Sequence, residues 1–198
     1  MKQLNVPYCN DANNLERHTI DFVPWPSYPY KPKVSFSIAY NDEHIFLKYF
    51  VQEKAIRANA NNMNGSVWED SCVEFFISFD ETGYYNLEFN CIGTALIGFG
   101  KSRDDRQLIN TEVISNVNTQ SVIQKKGSDL YHWELSLVIP LEVFVHHPLP
   151  TLNGRQCRAN FYKCGDLLPE PHFLAWSDIH SEEPNFHLPQ FFGTLSFT

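Results

Sequence analysis

The sequence predicts an all-β fold, an antiparallel β-sandwich of two sheets in an immunoglobulin-like or jelly-roll-like arrangement, with one short helix and long loops. Apolar and polar residues alternate in short runs along most of the chain, as in half-buried strands. Helical periodicity is scarce, and 198 residues suit a single domain over 1–198. The predicted strands are residues 33–40, 45–51, 72–79, 84–92, 113–123, 130–139, 156–162 and 191–197.

The opening segment has a different pattern, in which prolines alternate with aromatic residues. Proline lacks a backbone donor and is excluded from central strands, so we expect residues 1–32 to be an extended arm that packs on the sandwich. The predicted helical turn is 140–144, which begins with a proline. Residues 52–71, 101–112 and 164–189 are predicted loops, and a loop as long as the last often carries function.

Composition limits the partners that the chain can bind. Fifteen basic and 23 acidic side chains give a net charge of −8, which repels phosphate backbones and anionic lipid. We find no basic patch, no apolar leader and no run of about 18 uncharged apolar residues. We therefore expect a soluble, cytoplasmic protein that binds neither nucleic acid nor membrane, although a protein exported and then processed would carry the same sequence.

The five cysteines are an odd number, and three of them lie inside predicted strands. A buried thiol in a strand acts as a small hydrophobic side chain, so we expect reduced core cysteines. A disulfide between Cys157 and Cys164 stays open as an alternative.

The most informative stretch is a predicted hairpin, residues 72–79 and 84–92, with matched apolar faces. We expect residues 80–83 to form a three-residue loop that ends in a left-handed glycine. That turn would pair Glu74 with Asn90 and place Glu88 nearby on the same outward face.

A third run, residues 156–162, adds Arg158, Asn160 and Tyr162 if its polar side joins that face. Alternation alone does not tell such a binding face from an ordinary solvated surface.

Five stretches of the chain carry a family resemblance. They are Trp68-Glu69-Asp70-Ser71-Cys72-Val73-Glu74-Phe75-Phe76, Thr82-Gly83-Tyr84-Tyr85, Phe89-Asn90, Trp176-Ser177-Asp178 and Phe192-Gly193-Thr194-Leu195. Together they resemble the family-nine carbohydrate-binding modules over about residues 33–198. The first stretch is the most specific, because several fixed positions precede a hairpin of the expected length.

The resemblance implies that two aromatic rings clamp a terminal sugar, while a Glu, an Asn and an Arg bond its hydroxyls. It makes Trp68 one ring, Glu74 the carboxylate and Asn90 the amide. This chain departs from the pattern where Phe186 stands for the second tryptophan and Glu88 for the strand arginine.

The guanidinium would then come from Arg57 or Arg158, which are our candidates for that role. A further departure is Tyr162, which stands where the family has a glutamine.

These residue types suit a sugar for a physical reason. A pyranose offers an apolar face that stacks on an aromatic ring, and a rim of hydroxyls that both donate and accept. Trp68 and Phe186 could stack, while Glu74 accepts charge-assisted bonds and Asn90 both donates and accepts. We therefore expect non-catalytic binding of a mono- or oligosaccharide.

Two rival functions stay open at this point. One is a protein-protein interaction module, in which the aromatic arm and the Phe186 loop bind a protein partner. The other is a glycoside hydrolase that uses Glu74 and Glu88 as its carboxylate pair. We disfavour hydrolysis because an open, hydrophilic hairpin face would leave both carboxylates ionised, whereas a general acid needs a raised pKa.

We expect no cofactor. The histidines match no compact metal motif and suit structural or solvent positions, and haem would need Met63 or a histidine as an axial ligand. A structural calcium is left open, without the EF-hand spacing. Its candidate ligands are the loop carboxylates Asp104, Asp105, Asp178, Glu182 and Glu183.

Overall fold

Two β-sheets face each other in the computed structural model, which describes residues 2–198. The larger, eight-stranded sheet contains β1 (Gln3–Val6), β5 (Cys72–Asp80), β6 (Gly83–Asn90), β7 (Ala95–Gly100), β8 (Gln107–Leu108), β11 (Gln156–Cys164), β12 (Phe173–Ala175) and β13 (Gly193–Phe197). The smaller, five-stranded sheet contains β2 (His18–Thr19), β3 (Lys33–Tyr40), β4 (His44–Glu53), β9 (Asn118–Lys125) and β10 (Tyr131–Pro140). The predicted two-sheet β-sandwich is confirmed.

The larger sheet runs in the order β1, β13, β11, β5, β6, β7, β8, and β12 also pairs with β11. The smaller sheet runs β2, β3, β4, β10, β9. All strand pairs within the sheets are antiparallel apart from β1 with β13. The opening segment thus contributes one edge strand to each sheet, and β11, β5 and β6 form the middle of the larger one.

The prediction is wrong over the first half of 113–123. The short helix α1 (Thr111–Ile114) and the turn after it occupy residues 111–117, because the Asn110 side chain accepts a hydrogen bond from the Glu112 N–H and caps a helical turn. Residues 140–144 instead contain a 3₁₀ turn, Leu141–Val143. None of the helices in residues 2–198 has the length and apolar character that a membrane crossing needs.

The core between the sheets is built from the alternate residues that the sequence pattern marks as apolar. Phe36 of β3 stacks on Phe161 of β11 at 3.8 Å between ring centroids, and Phe75 of β5 stacks on the same ring at 4.9 Å. Trp176 packs edge-on against Phe36 and Phe161, and Trp133 is buried in the same core. Burial of large aromatic side chains is the main favourable contribution to such a core.

A second apolar layer covers the outer face of the larger sheet. Phe76, Tyr84 and Tyr162 point outward from the strands, yet each is at most 2% exposed. Trp25 from the opening segment and Phe186 from the long loop lie over them. The outward face is therefore largely covered by aromatic side chains, and it is not an ordinary solvated sheet face.

The hairpin register differs from the prediction by two residues. Glu74 lies opposite Glu88 and Cys72 opposite Asn90, with an irregularity between Ile77 and Asp80. Asp80 accepts a hydrogen bond from the Thr82 N–H at 2.8 Å, which stabilises a turn of two residues where three were predicted. Because the shift is even, every side chain keeps its predicted face.

Gly83 adopts no left-handed conformation, contrary to the prediction. It is required for a different reason, since a Cβ at this position would lie 2.7 Å from the Gly100 carbonyl oxygen. The glycine allows β6 and β7 to approach each other closely.

All five cysteines are free, and four of them are buried. Cys157 faces the core between the sheets, whereas Cys164 belongs to the outer layer. The disulfide left open by the sequence is not formed, because the two thiols lie on opposite faces of one strand.

A buried ion pair joins the two sheets. The Lys163 ammonium lies 3.0 Å from Glu53 Oε2 and 2.9 Å from His172 Nε2, and Trp133 Nε1 donates to Glu53 Oε1 at 2.6 Å. Both charged side chains are 0% exposed. Burial and the neighbouring ammonium lower the pKa of His172 to about 3, so its ring stays neutral.

Candidate functional site

One cleft in the outer face of the larger sheet brings charged and aromatic side chains together. Its floor comes from β5 and β6, and its walls come from a 3₁₀ turn at Val67–Glu69, the loop 101–106 and the segment 165–187, which contains β12. The lining residues are Trp68, Glu74, Glu88, Arg103, Arg106, Cys164, Asp166, Phe173, Pro184, Asn185, Phe186 and His187.

Two carboxyl groups form the floor of this cleft. Glu74 and Glu88 are direct cross-strand partners, which places their Cβ atoms about 5 Å apart, and each is 3% exposed. Burial raises the pKa of Glu74 well above its usual value, and the Glu88 carboxylate raises it further. Burial also raises the pKa of Glu88, although Arg106 opposes the shift. The pair therefore holds protons more tightly than free glutamates do.

A single guanidinium contacts that pair from the loop before β8. Arg106 Nη1 donates to Glu88 Oε1 at 3.1 Å and lies 3.3 Å from His187 Nε2. Burial and Arg106 lower the pKa of His187 to about 3, so the ring is neutral and its Nε2 accepts. The remaining proton is then on Nδ1, which lies 2.8 Å from the Tyr84 hydroxyl. This chain of contacts fixes the direction of Arg106.

Asp166 adds a third carboxyl group at the wall. Burial raises its pKa to about 6, while the Arg103 guanidinium acts in the opposite direction. Its backbone N–H donates to the Trp68 carbonyl at 3.2 Å, which ties the two cleft walls together.

Trp68 lies in the 3₁₀ turn with its ring half-buried at the cleft. Its neighbour Val67 is fully buried and anchors the turn. Asn64, whose φ is 60°, donates to the Ile109 carbonyl and accepts from the Ile97 N–H, so the preceding loop is fixed to β7. The partly exposed indole is therefore held on a rigid support.

Phe186 reaches the same cleft, but it is only 8% exposed. It stacks on Tyr162 with ring centroids 4.2 Å apart, and the Tyr162 hydroxyl donates to the Phe186 carbonyl at 3.2 Å. Of the two residues predicted here, Phe186 therefore lines the cleft, while Tyr162 lies behind it as a support with no exposed surface.

Asn90 lies outside the cleft, contrary to the predicted geometry. Its side chain donates to Asp70 Oδ2 at 3.0 Å and to the Ala60 carbonyl at 2.8 Å, and it accepts from the Thr94 N–H at 3.0 Å. The register shift carries Asn90 opposite Cys72, at the end of the hairpin. All of its contacts stabilise loops, and it is 0% exposed.

The two arginines predicted to supply the guanidinium also lie elsewhere. Arg57 Nε is 3.1 Å from the buried Asp70 carboxylate, and Arg158 lines a separate groove with Ser78 and Gln190. Arg103 and Arg106 occupy the cleft instead. Sequence reasoning missed them because they follow β7, a strand that is buried on both faces and shows no alternation.

The argument against hydrolysis from ionised carboxylates is wrong, because both are buried and both pKa values are raised. Geometry gives a different argument. Glu74 and Glu88 lie side by side in one floor, whereas a glycosidase pair flanks the bond that it cleaves.

Comparisons with known proteins identify the family and the fold of this chain. The model of carbohydrate-binding family 9 matches residues 5–197. A crystal structure of a candidate carbohydrate-binding protein from Bacteroides uniformis ATCC 8492 is 42% identical, covers 100% of this chain and 99% of its own, and has a TM-score of 0.91.

Two structures of a family 9 module from Caldicellulosiruptor kristjanssonii share the fold. The cellotriose complex is 15% identical with a TM-score of 0.66 and covers 99% of this chain and 93% of its own. The glucose complex is 14% identical with a TM-score of 0.64 and covers 100% and 96%. Among curated proteins, no relative matches the chain.

Proposed function

The chain belongs to carbohydrate-binding family 9, and we propose that it binds a mono- or oligosaccharide in the described cleft without cleaving it. One observation carries this proposal. The partly exposed ring of Trp68, two buried carboxyl groups and an oriented guanidinium converge on one cleft. An aromatic face surrounded by charged donors and acceptors is what a pyranose ring and its hydroxyls require.

Each lining group has a chemical role in this proposal. The apolar face of the sugar stacks on Trp68, with Phe186 closing the cleft. Glu74 and Glu88 accept hydrogen bonds from hydroxyls, and Arg106 donates through the nitrogens that do not contact Glu88. Asn185, whose Oδ1 accepts from the His187 N–H, offers its amide N–H groups to the ligand.

The solved relatives indicate which sugars to test first. Family 9 modules from Caldicellulosiruptor kristjanssonii were solved with cellotriose and with glucose. We therefore propose glucose and short β-glucans as first ligands for this chain. A protein partner is less favoured, because the aromatic residues of the arm and of the long loop are mostly used in covering the sheet.

The first experiment is calorimetric titration of the protein with glucose, cellobiose and cellotriose. Trp68→Ala should weaken binding by about 2 kcal/mol, roughly thirty-fold in Kd, because it removes the stacking surface. Tyr8→Ala is the matched control, since Tyr8 is an exposed ring outside the cleft, and it should leave Kd unchanged. Equal affinities in wild type and Trp68→Ala would exclude this cleft as the sugar site.

A further inference from the structure

One end of the cleft floor holds two thiols and a carboxyl group side by side. Strands β5 and β11 pair antiparallel with Cys72 directly opposite Cys164, so both side chains leave the sheet on the same face. Glu74 follows Cys72 by two residues and shares that face. The three side chains are at most 3% exposed.

The spacing of these groups suits a metal ion. The two sulfur atoms and one oxygen of Glu74 lie within 4.8 Å of one another, and this is the one such group of three among residues 2–198. Cys164 Sγ donates to Glu74 Oε1 at 3.1 Å. A tetrahedral Zn²⁺ with Zn–S of about 2.3 Å and Zn–O of about 2.1 Å needs its donors about 3.5–3.8 Å apart. Cys164 Sγ and Glu74 Oε1 are 3.1 Å apart, and the three donor atoms lie within 4.8 Å of one another. The spacing that Zn²⁺ needs lies between these two values.

We propose that Cys72, Glu74 and Cys164 bind a thiophilic divalent cation such as Zn²⁺, with a fourth position open to the cleft. Two sulfur ligands favour Zn²⁺ over the oxygen-preferring Ca²⁺ and Mg²⁺. Glu74 and Cys164 line the cleft, so an ion enters from there. Three protein ligands leave a place for water or for a hydroxyl of a bound sugar.

Charge and hydrogen bonding are consistent with such an ion. Coordination displaces the thiol protons of Cys72 and Cys164 and removes the bond that Cys164 now donates to Glu74. Two thiolates and one carboxylate around a divalent ion leave one surplus negative charge. The Arg106 guanidinium, which acts electrostatically on Glu74, faces that charge.

Glu74 can bind both the metal ion and a sugar hydroxyl, because a carboxylate has two oxygens. Oε1 lies on the side of Cys164, which leaves Oε2 for a sugar hydroxyl. The metal site does not depend on the sugar site, and each can be tested without the other.

The test is titration of the fully reduced full chain with Co²⁺ under anaerobic conditions. We expect one equivalent to produce thiolate-to-cobalt charge-transfer absorption in the near ultraviolet, and Zn²⁺ to abolish it by displacement. Cys72→Ser and Cys164→Ser should each weaken this band strongly. Cys157→Ser should keep it, because that buried thiol lies on the opposite face of β11.

Zinc X-ray absorption of the wild-type protein decides the matter if a serine variant fails to fold. Two sulfur neighbours at about 2.3 Å would support the site. The proposal would be overturned by any of three results: oxygen and nitrogen neighbours alone, a cobalt band that survives both serine substitutions, or a Cys72–Cys164 disulfide without metal uptake.

Sugar binding measured with a chelator separates the two sites. If the protein binds sugar with unchanged affinity but gives no cobalt band, only the proposed metal site is wrong. If it gives the cobalt band but binds no sugar, only the proposed function is wrong.

Discussion

Buried carboxyl groups occur in two regions of this molecule, and the regions differ in how the negative charge is compensated. Between the sheets, Glu53 has an ammonium at 3.0 Å and an indole N–H at 2.6 Å, with no exposed surface. In the cleft, Glu74 and Glu88 face each other, and one partly exposed guanidinium contacts only the second of them.

The difference separates a structural charge cluster from the proposed sugar site. The charge of Glu53 is matched by the Lys163 ammonium, and neither side chain has exposed surface, so no ligand can reach the pair. The cleft keeps carboxyl groups under-compensated beside an opening, and a ligand can supply the missing hydrogen bonds. Burial of charge alone therefore does not mark a candidate functional site, whereas incomplete compensation next to a cleft does.

The largest expected effect is a loss of stability at the buried Glu53–Lys163 pair, where the negative charge is compensated. Lys163→Met should lower the free energy of unfolding by about 3–5 kcal/mol, because it leaves Glu53 charged and unpaired in the interior. Urea unfolding measures it. The double variant Glu53→Gln/Lys163→Met should recover much of the loss, and sugar affinity per folded molecule should stay unchanged. A single variant as stable as wild type would show that the pair is not truly buried.

A smaller effect should follow in the cleft. Arg106→Met removes the one guanidinium that contacts the floor pair and should weaken sugar binding about tenfold, or about 1.4 kcal/mol. Arg158→Met is the matched control, since that arginine lies in a separate groove, and should leave the calorimetric Kd unchanged. Loss of affinity in Arg158→Met but not in Arg106→Met would favour the sequence-based assignment over the structural one.

The smallest effect concerns stability and pH. A carboxyl group whose folded-state pKa is raised stabilises the fold most below its unfolded pKa of about 4.3, and this contribution is lost as pH rises through the folded-state pKa. Glu74→Gln should therefore match wild type at low pH and become more stable toward neutral pH. A gain of about 1 kcal/mol would raise Tm by about 2–4 °C.

The measurement is the difference in Tm between Glu74→Gln and wild type as a function of pH. The exposed Glu81→Gln serves as its control and should show a flat difference. A difference for Glu74→Gln that shrinks toward neutral pH would contradict the raised pKa.

Part of the site was predictable because it depends on local pattern. Trp68 and Glu74 were identified by motif, and alternation correctly placed Glu74 and Glu88 on the outward face of the hairpin. Asn90 was misplaced because a face assignment does not specify register. The shorter turn moved the pairing by one residue, and the irregularity between Ile77 and Asp80 moved it by one more. Arg103 and Arg106 lie on a loop whose position depends on packing and not on periodicity.

The sequence by itself determined the two-sheet architecture and, in the strands whose residues alternate, the face on which each side chain lies, because side-chain direction in a strand repeats every two residues. Only the tertiary structure decided that the outward face is covered, that Glu74 meets Glu88, and that a distant loop brings Arg106 to them. Those features depend on contacts between residues far apart in the chain, which local pattern does not encode.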